Sequence, residues 1–201
     1  MSARALFFDL GGVVVEFDSD RLMLQMAQLL GRPFDEVQSA VYHAELLLPF
    51  EIGHLSPHAY YQGLTHRLKL PWTYDQFVRY WNDIFHENKD VAALLQRLHP
   101  RHRLLALTNT NVLHLQHIKA TVPSASLFHG WVASCEVGCR KPDPHIYRLA
   151  LERAGVSAEH AVYVDDRPEM VEGGRSLGIT AVRFENSKQL EQDLAKDGEP
   201  S

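Results

Sequence analysis

Asp9, Thr108, Lys141 and the pair Asp165-Asp166 are the residues of this 201-residue chain whose types and surroundings suit chemistry. Asp9 follows the apolar run Ala5 to Phe8, and Asp165-Asp166 follow Ala161 to Val164. A carboxylate at the end of an apolar run is costly to desolvate without a cation, and three of them in one place repel one another. Mg2+ suits such a place, because it takes hard oxygen ligands, keeps several waters and leaves room for a phosphate oxygen. An aspartate beside that cation can attack phosphorus and form an aspartyl phosphate, since the metal screens one anion from the other. Lys141, in the turn Arg140-Lys141-Pro142, offers a second positive charge to the acidic pair and to a transferring phosphoryl group. The Thr108 hydroxyl and the Asn109 backbone N–H would hold the remaining phosphoryl oxygens. Taken singly, Asp9 is an ordinary turn residue and Thr108-Asn109 an ordinary strand exit. Their order along the chain carries the reading.

For these residues to meet, the strands before them must end together. Five short apolar runs read as strands: Ala5 to Phe8, Leu104 to Leu107, Trp131 to Ala133, Ala161 to Val164 and Thr180 to Phe184. They lack polar alternation, as strands covered on both faces do, and helical patterns separate the later ones. Val91, Leu94, Leu95 and Leu98 share one helical face; Ile146, Leu149 and Ala150 share another, after Pro142 and Pro144 and before Gly155. The expected fold is α/β, a Rossmann-like parallel sheet that gathers Asp9, Thr108, Asp165 and Asp166 at its carboxyl edge, where open sheets bind ligands.

Asp18 to His86 differs, with helical spacing and no convincing strand. Leu22, Met26, Leu29 and Leu30 line one face before Gly31, and Thr73 with Gln76 forms a capping box ahead of Phe77, Tyr80, Trp81 and Ile84. The expectation is an all-α cap, residues 18–86, inserted in a core of residues 1–17 and 87–201. Gly11-Gly12 read as a bend, with Val13 to Phe17 as a short flap leading into the cap. The aromatic set Trp72, Tyr74, Phe77, Tyr80 and Trp81 reads as cap packing before it reads as a platform for a sugar face. Lys196 to Ser201 reads as a polar tail.

Composition narrows the function classes. Hydrophobic residues at 45% and charged residues at 22% describe a chain with a sizeable core, not a disordered one. With Lys+Arg 20 against Asp+Glu 25, the net charge of -5 provides no basic footprint for a nucleic-acid backbone. No apolar run approaches the roughly 20 residues that cross a bilayer, and Asp9 soon interrupts the run after Met1 to Arg4. Neither a membrane anchor nor a secretory signal is expected. Cys135 and Cys139 are too few for a disulfide framework and lack nearby zinc ligands, so a reducing cytoplasm is the natural setting. The expected partner is a small phosphorylated metabolite.

Four segments, in order, resemble the motifs of the haloacid dehalogenase superfamily: Phe7-Phe8-Asp9-Leu10-Gly11-Gly12-Val13, Leu104 to Asn109, Arg140-Lys141-Pro142, and Val162-Tyr163-Val164-Asp165-Asp166. The resemblance implies a Mg2+-dependent phosphatase with an α-helical cap, its metal held by Asp9, the Gly11 carbonyl, and Asp165 or Asp166. More narrowly, Asp9 to Val14, Thr108-Asn109-Thr110-Asn111, Gly178-Ile179-Thr180 and Glu51-x-Gly53-x-Leu55-Ser56 are similar to bacterial α-glucose-1-phosphate phosphatases. That implies a sugar phosphate substrate such as glucose 1-phosphate.

One departure bears on mechanism. Phosphatases of the superfamily usually carry an acid/base Asp two residues after the nucleophile, where this chain has Gly11. Losing a positioned acid/base costs roughly 100- to 10,000-fold, less for an anomeric phosphate, whose hemiacetal oxygen leaves more readily than an ordinary alcohol. Alternatively His43, Glu45, Glu51, His54 or His58 of the cap delivers the proton. A phosphometabolite-binding or regulatory protein is the competing reading, supported by Gly11. A metal-free dehalogenase stands further off, because the acidic pair and the lack of an aromatic residue at position 11 argue for Mg2+.

Overall fold

A computed structural model of the chain describes residues 5–196. Met1 to Arg4 and the polar tail after Lys196 lie outside the described residues. The central sheet has five parallel strands in the order β5 (Gly130–Ala133), β4 (Arg103–Thr108), β1 (Ala5–Phe8), β6 (Ala161–Asp165) and β7 (Thr180–Arg183). These are the five runs read from the sequence, with ends shifted by a residue. Their lack of alternation has a direct cause, since strand side chains alternate between faces and both faces are buried. Leu6 and Phe8 pack with Val91, Leu95 and Leu190 on one side, while Ala5 and Phe7 pack with Ile146, Tyr147 and Val171 on the other.

Helices supply both covers. On the first side lie α6 (Lys89–Leu98) and α11 (Ser187–Lys196); on the second lie α9 (Pro144–Ala154) and α10 (Pro168–Arg175). Asn88 caps α6 by accepting from the Val91 N–H, and Asp143 caps α9 by accepting from the His145 N–H. Gly155 ends α9 in the left-handed region, at φ 67°. Because the strands are parallel, Asp9, Thr108, Ala133 and Asp165 all come to one sheet edge.

Between β1 and β4 the chain forms α1 (Ser19–Leu30), α2 (Phe34–Val41), α3 (Ala44–Glu51), α4 (Pro57–Leu68) and α5 (Tyr74–Asn82). They share an apolar cluster of their own, in which Met26, Phe50, Tyr60, Leu64 and Phe77 are fully buried. The Thr73-Gln76 capping box is present at the start of α5, with both reciprocal hydrogen bonds made. Phe77 and Trp81 are buried and stacked, so the aromatic set serves chiefly as packing. Leu29 departs from expectation, being 50% exposed: α1 buries Met23 and Ala27 beside Leu22 and Met26, which turns its stripe away from Leu29.

The expectation of no strand between Asp18 and His86 needs correction. Phe85–Glu87 forms β3, paired antiparallel with β2 (Val15–Phe17) in a two-stranded ribbon that joins the helical segment to the sheet. Two of the three β3 residues are polar, so no apolar run announces it; the pairing with β2 makes it a strand. The remaining elements are α7 (Val112–Thr121), which starts from the Asn111 cap after β4, the single turn α8 (Ser134–Val137) after β5, and two short 3-10 helices, Pro123–Leu127 and Ala158–His160.

Candidate active site

The three carboxylates named from the sequence meet at the sheet edge. Asp9, Asp165 and Asp166 each present an oxygen, and these atoms lie within 4.8 Å of one another. Asp9 follows β1, its N–H donating to Val164 O of β6 at 2.9 Å, and its Oδ1 accepts from the Leu10 N–H at 2.7 Å. Burial pushes the Asp9 carboxyl up to about 6; Lys141 opposes that shift and the neighbouring Asp165 adds to it. Burial and Asp165 also raise Asp166. Such mutual repulsion in a half-dry cluster of hard oxygens is what a divalent cation relieves, and the donor set fits Mg2+.

The two members of the acidic pair are not equivalent. Asp165 is fully buried and both its oxygens are taken: Oδ2 accepts from Lys141 Nζ at 2.6 Å and from the Tyr163 hydroxyl, Oδ1 from the Arg167 N–H at 2.9 Å. Asp166 Oδ1 is buried with no hydrogen-bond partner. An orphaned acceptor in that position is a free ligand atom. Sequence reasoning passed over Tyr163, although its place two residues before Asp165 puts both on one face of β6.

Lys141 stands at the centre, 1% exposed. Its Nζ lies 2.6 Å from Asp165 Oδ2, 3.0 Å from Asp9 Oδ1 and 2.9 Å from Leu107 O. Three acceptors account for the three ammonium hydrogens, so contact with a phosphoryl oxygen requires exchange of one of them. Asn109 holds this lysine in place. Its Nδ2 donates to Lys141 O at 2.9 Å and its Oδ1 accepts from the Lys141 N–H at 2.8 Å, a two-point clamp on the backbone of one residue that the sequence did not reveal. Thr108, nearly buried at the end of β4, lines the same chamber.

The two glycines after Asp9 serve different neighbours. Gly12 has φ 81°, and a Cβ there would lie 2.6 Å from Asp166 Oδ2, so only glycine lets the carboxylate sit against this loop. Gly11 lies against the Phe17 ring of β2.

Above the carboxylates opens a chamber of about 340 Å³ between the sheet edge and the helical segment. Of the five groups considered as proton donors, Glu51 lines it. His43 and Glu45 sit together beside Arg67, His58 stacks on Tyr74, and neither these nor His54 reach the chamber wall. Glu51 Oε2 accepts from Arg140 at 2.6 Å, and its carbonyl accepts from the Ser134 hydroxyl at 2.6 Å. Gly53 then presses against the Cys135 carbonyl, closer than any side chain would permit. The Glu51-x-Gly53 pattern thus docks the end of α3 on α8. His114, also on the wall, is half-buried between Trp81 and Phe85, and desolvation lowers its pKa to about 3.

A family model described as haloacid dehalogenase-like hydrolase matches residues 3–178. The chain belongs to this family. It is therefore an enzyme of hydrolase type, and several relatives are named as phosphatases. Phosphatase MT3486 of Mycobacterium tuberculosis is 26% identical over 98% of this chain and 94% of its own length. Drimenol cyclase drtB of Aspergillus calidoustus is 26% identical over 95% of this chain, which spans only 36% of that protein. Among solved structures, a haloacid dehalogenase family enzyme of Bacteroides thetaiotaomicron, in complex with magnesium and inorganic phosphate, superposes with a TM-score of 0.83 at 21% identity, over 94% of this chain and 99% of that one. The Rossmann-like core with helices between its strands is the fold of this hydrolase. Among the described residues no helix is long and apolar enough to cross a membrane.

Proposed function

We propose that the chain is a Mg2+-dependent phosphatase that hydrolyses a small phosphate monoester through an aspartyl phosphate on Asp9. The observation that carries this reading is the meeting of Asp9, Asp165 and Asp166 within 4.8 Å, with Lys141 between two of them. Asp9, the Gly11 carbonyl and Asp166, whose Oδ1 has no hydrogen-bond partner, would hold the metal, with Asp165 kept in place by Lys141, Tyr163 and Arg167. When bound, Mg2+ supplies charge neutralisation and polarises a phosphoryl oxygen.

The protein's own groups do the rest. Asp9 Oδ1 is engaged by the Leu10 N–H and Lys141, which leaves Oδ2 to attack phosphorus. The Thr108 hydroxyl and the Asn109 N–H hold phosphoryl oxygens, and Asn109's side chain keeps Lys141 positioned. Water then cleaves the aspartyl phosphate. Residues 18–86 act as a cap over the core formed by residues 1–17 and 87–201, and exclude bulk water from the chamber. The partner is a small phosphorylated metabolite, and the motif pattern supports a sugar phosphate such as glucose 1-phosphate. Free thiols at Cys135 and Cys139 suit a cytoplasmic setting.

Phosphate release from glucose 1-phosphate and from an activated aryl phosphate, each with Mg2+, tests this reading. Activity retained by Asp9→Asn would rule it out. Gly11 favours one second reading, a phosphometabolite sensor. Calorimetry separates the two, because a sensor would bind a phosphosugar with Mg2+ and turn over not even the aryl ester.

A further inference from the structure

At position 11 a side chain would crowd an aromatic ring. A Cβ on Gly11 would lie 3.1 Å from Cε1 and 3.3 Å from Cδ1 of Phe17. Phe17 is held there by the pairing of β2 with β3, lines the chamber and is 52% exposed. Where an acid/base carboxylate would project, two residues after Asp9, an aromatic ring stands.

Apart from Asp166, the titratable groups on the chamber wall are paired. Glu51 is tied to Arg140 at 2.6 Å, and the Tyr42 hydroxyl donates to Ser19 Oγ at 3.1 Å. His114 Nδ1 lies 3.0 Å from Asn111 Nδ2, an amide donor, so Nε2 carries the proton and donates to Trp81 O at 3.1 Å. Arg167 pairs with Glu169, and Lys141 with Asp9 and Asp165. Asp166 belongs to the carboxylate cluster. Besides Thr108, Asn109, Thr110 and Asn111, the wall carries the apolar residues Leu22, Met23, Val41, Trp81, Ile84 and Ile118.

We infer that this site, on the phosphatase reading, takes phosphate esters of weakly basic oxygens and discriminates against esters of ordinary alcohols. The Asp9 oxygen forms its bond to phosphorus as the ester P–O bond breaks. The electron pair of that bond stays on the departing oxygen, which leaves as the anion and takes a proton from solvent afterwards. Phenols, with a pKa of about 10 as in tyrosine, and anomeric hydroxyls tolerate this; primary alcohols do not. Phe17 gives the body of the departing group apolar contact and has no proton to donate.

The test compares kcat/KM for phenyl phosphate and benzyl phosphate with Mg2+, two esters that share a ring and differ in the basicity of the leaving oxygen. A positioned acid would flatten that difference by neutralising the developing charge. Without one, phenyl phosphate is expected to exceed benzyl phosphate by ~100-fold or more, the lower end of what an acid/base group supplies. The double variant Gly11→Asp with Phe17→Ala should narrow the ratio by raising benzyl phosphate turnover. Equal kcat/KM for the two esters in the unmodified protein would overturn the inference and leave the phosphatase reading intact. No release from either ester or from 4-nitrophenyl phosphate would remove both.

Discussion

Asp9→Asn is expected to stabilise the metal-free protein while it abolishes turnover. Burial, only partly offset by Lys141, raises the Asp9 carboxyl from 3.8 to about 6. A shift of roughly two units corresponds to about 3 kcal/mol, by which ionised Asp9 strains the native state at neutral pH. Asparagine keeps an acceptor for the Leu10 N–H but loses part of the attraction to Lys141, so the expected gain is about 1–3 kcal/mol. The sign follows from linkage: the native state holds this proton more tightly than the unfolded chain. Wild-type stability from Asp9 is therefore complete below 3.8, falls as pH rises through about 6, and is level above that. The advantage of the variant grows across the same window. Urea unfolding in EDTA at mildly acidic and at mildly alkaline pH measures it. A metal-free variant less stable than wild type under alkaline conditions, or an advantage equal at both pH values, would refute the reasoning. Added Mg2+ should reverse the ranking, because wild type, with a carboxylate at position 9, gains more binding energy from it.

Gly12→Ala is expected to weaken Mg2+ binding by roughly 10- to 100-fold, since the methyl group displaces Asp166 and the backbone is left-handed there; titration calorimetry measures this. Asn109→Ala removes both hydrogen bonds to the Lys141 backbone and should lower kcat along with about 1–3 kcal/mol of stability in urea unfolding. Lys141→Met leaves two buried carboxylates unpaired, with an expected loss of about 3–5 kcal/mol in EDTA. Mg2+ should restore part of that loss, and a variant as stable as wild type would contradict the arrangement.

Legibility in the sequence followed range. The five sheet strands show themselves because burial on both faces leaves an unbroken apolar run, and Asp9, Thr108 and Asp165 are marked by ending such runs. β3 left no such mark, since Phe85–Glu87 is a strand only by virtue of β2, reached across the whole helical segment. Leu29 misled because a helical stripe of leucines fixes a face only to within a residue or so, and α1 turned Met23 and Ala27 inward instead. The proton-donor candidates could not be ranked from sequence for the same reason. Glu51 is distinguished by Arg140, 89 positions away, and no local pattern encodes that distance.

The sequence by itself determined which residue types stand at the ends of which strands, and hence that three carboxylates and one lysine share an edge. Hydrophobic periodicity and turn residues act locally, and parallel pairing follows from them almost without choice. Only tertiary structure decided how those groups divide the work: Asp165 saturated by Lys141, Tyr163 and Arg167, Asp166 left with a free oxygen, Asn109 turned to clamp the Lys141 backbone, and Phe17 set against Gly11. Each of these depends on angstrom-scale contacts between segments far apart in the chain, and such contacts are specified by packing of the whole molecule rather than by any stretch of it.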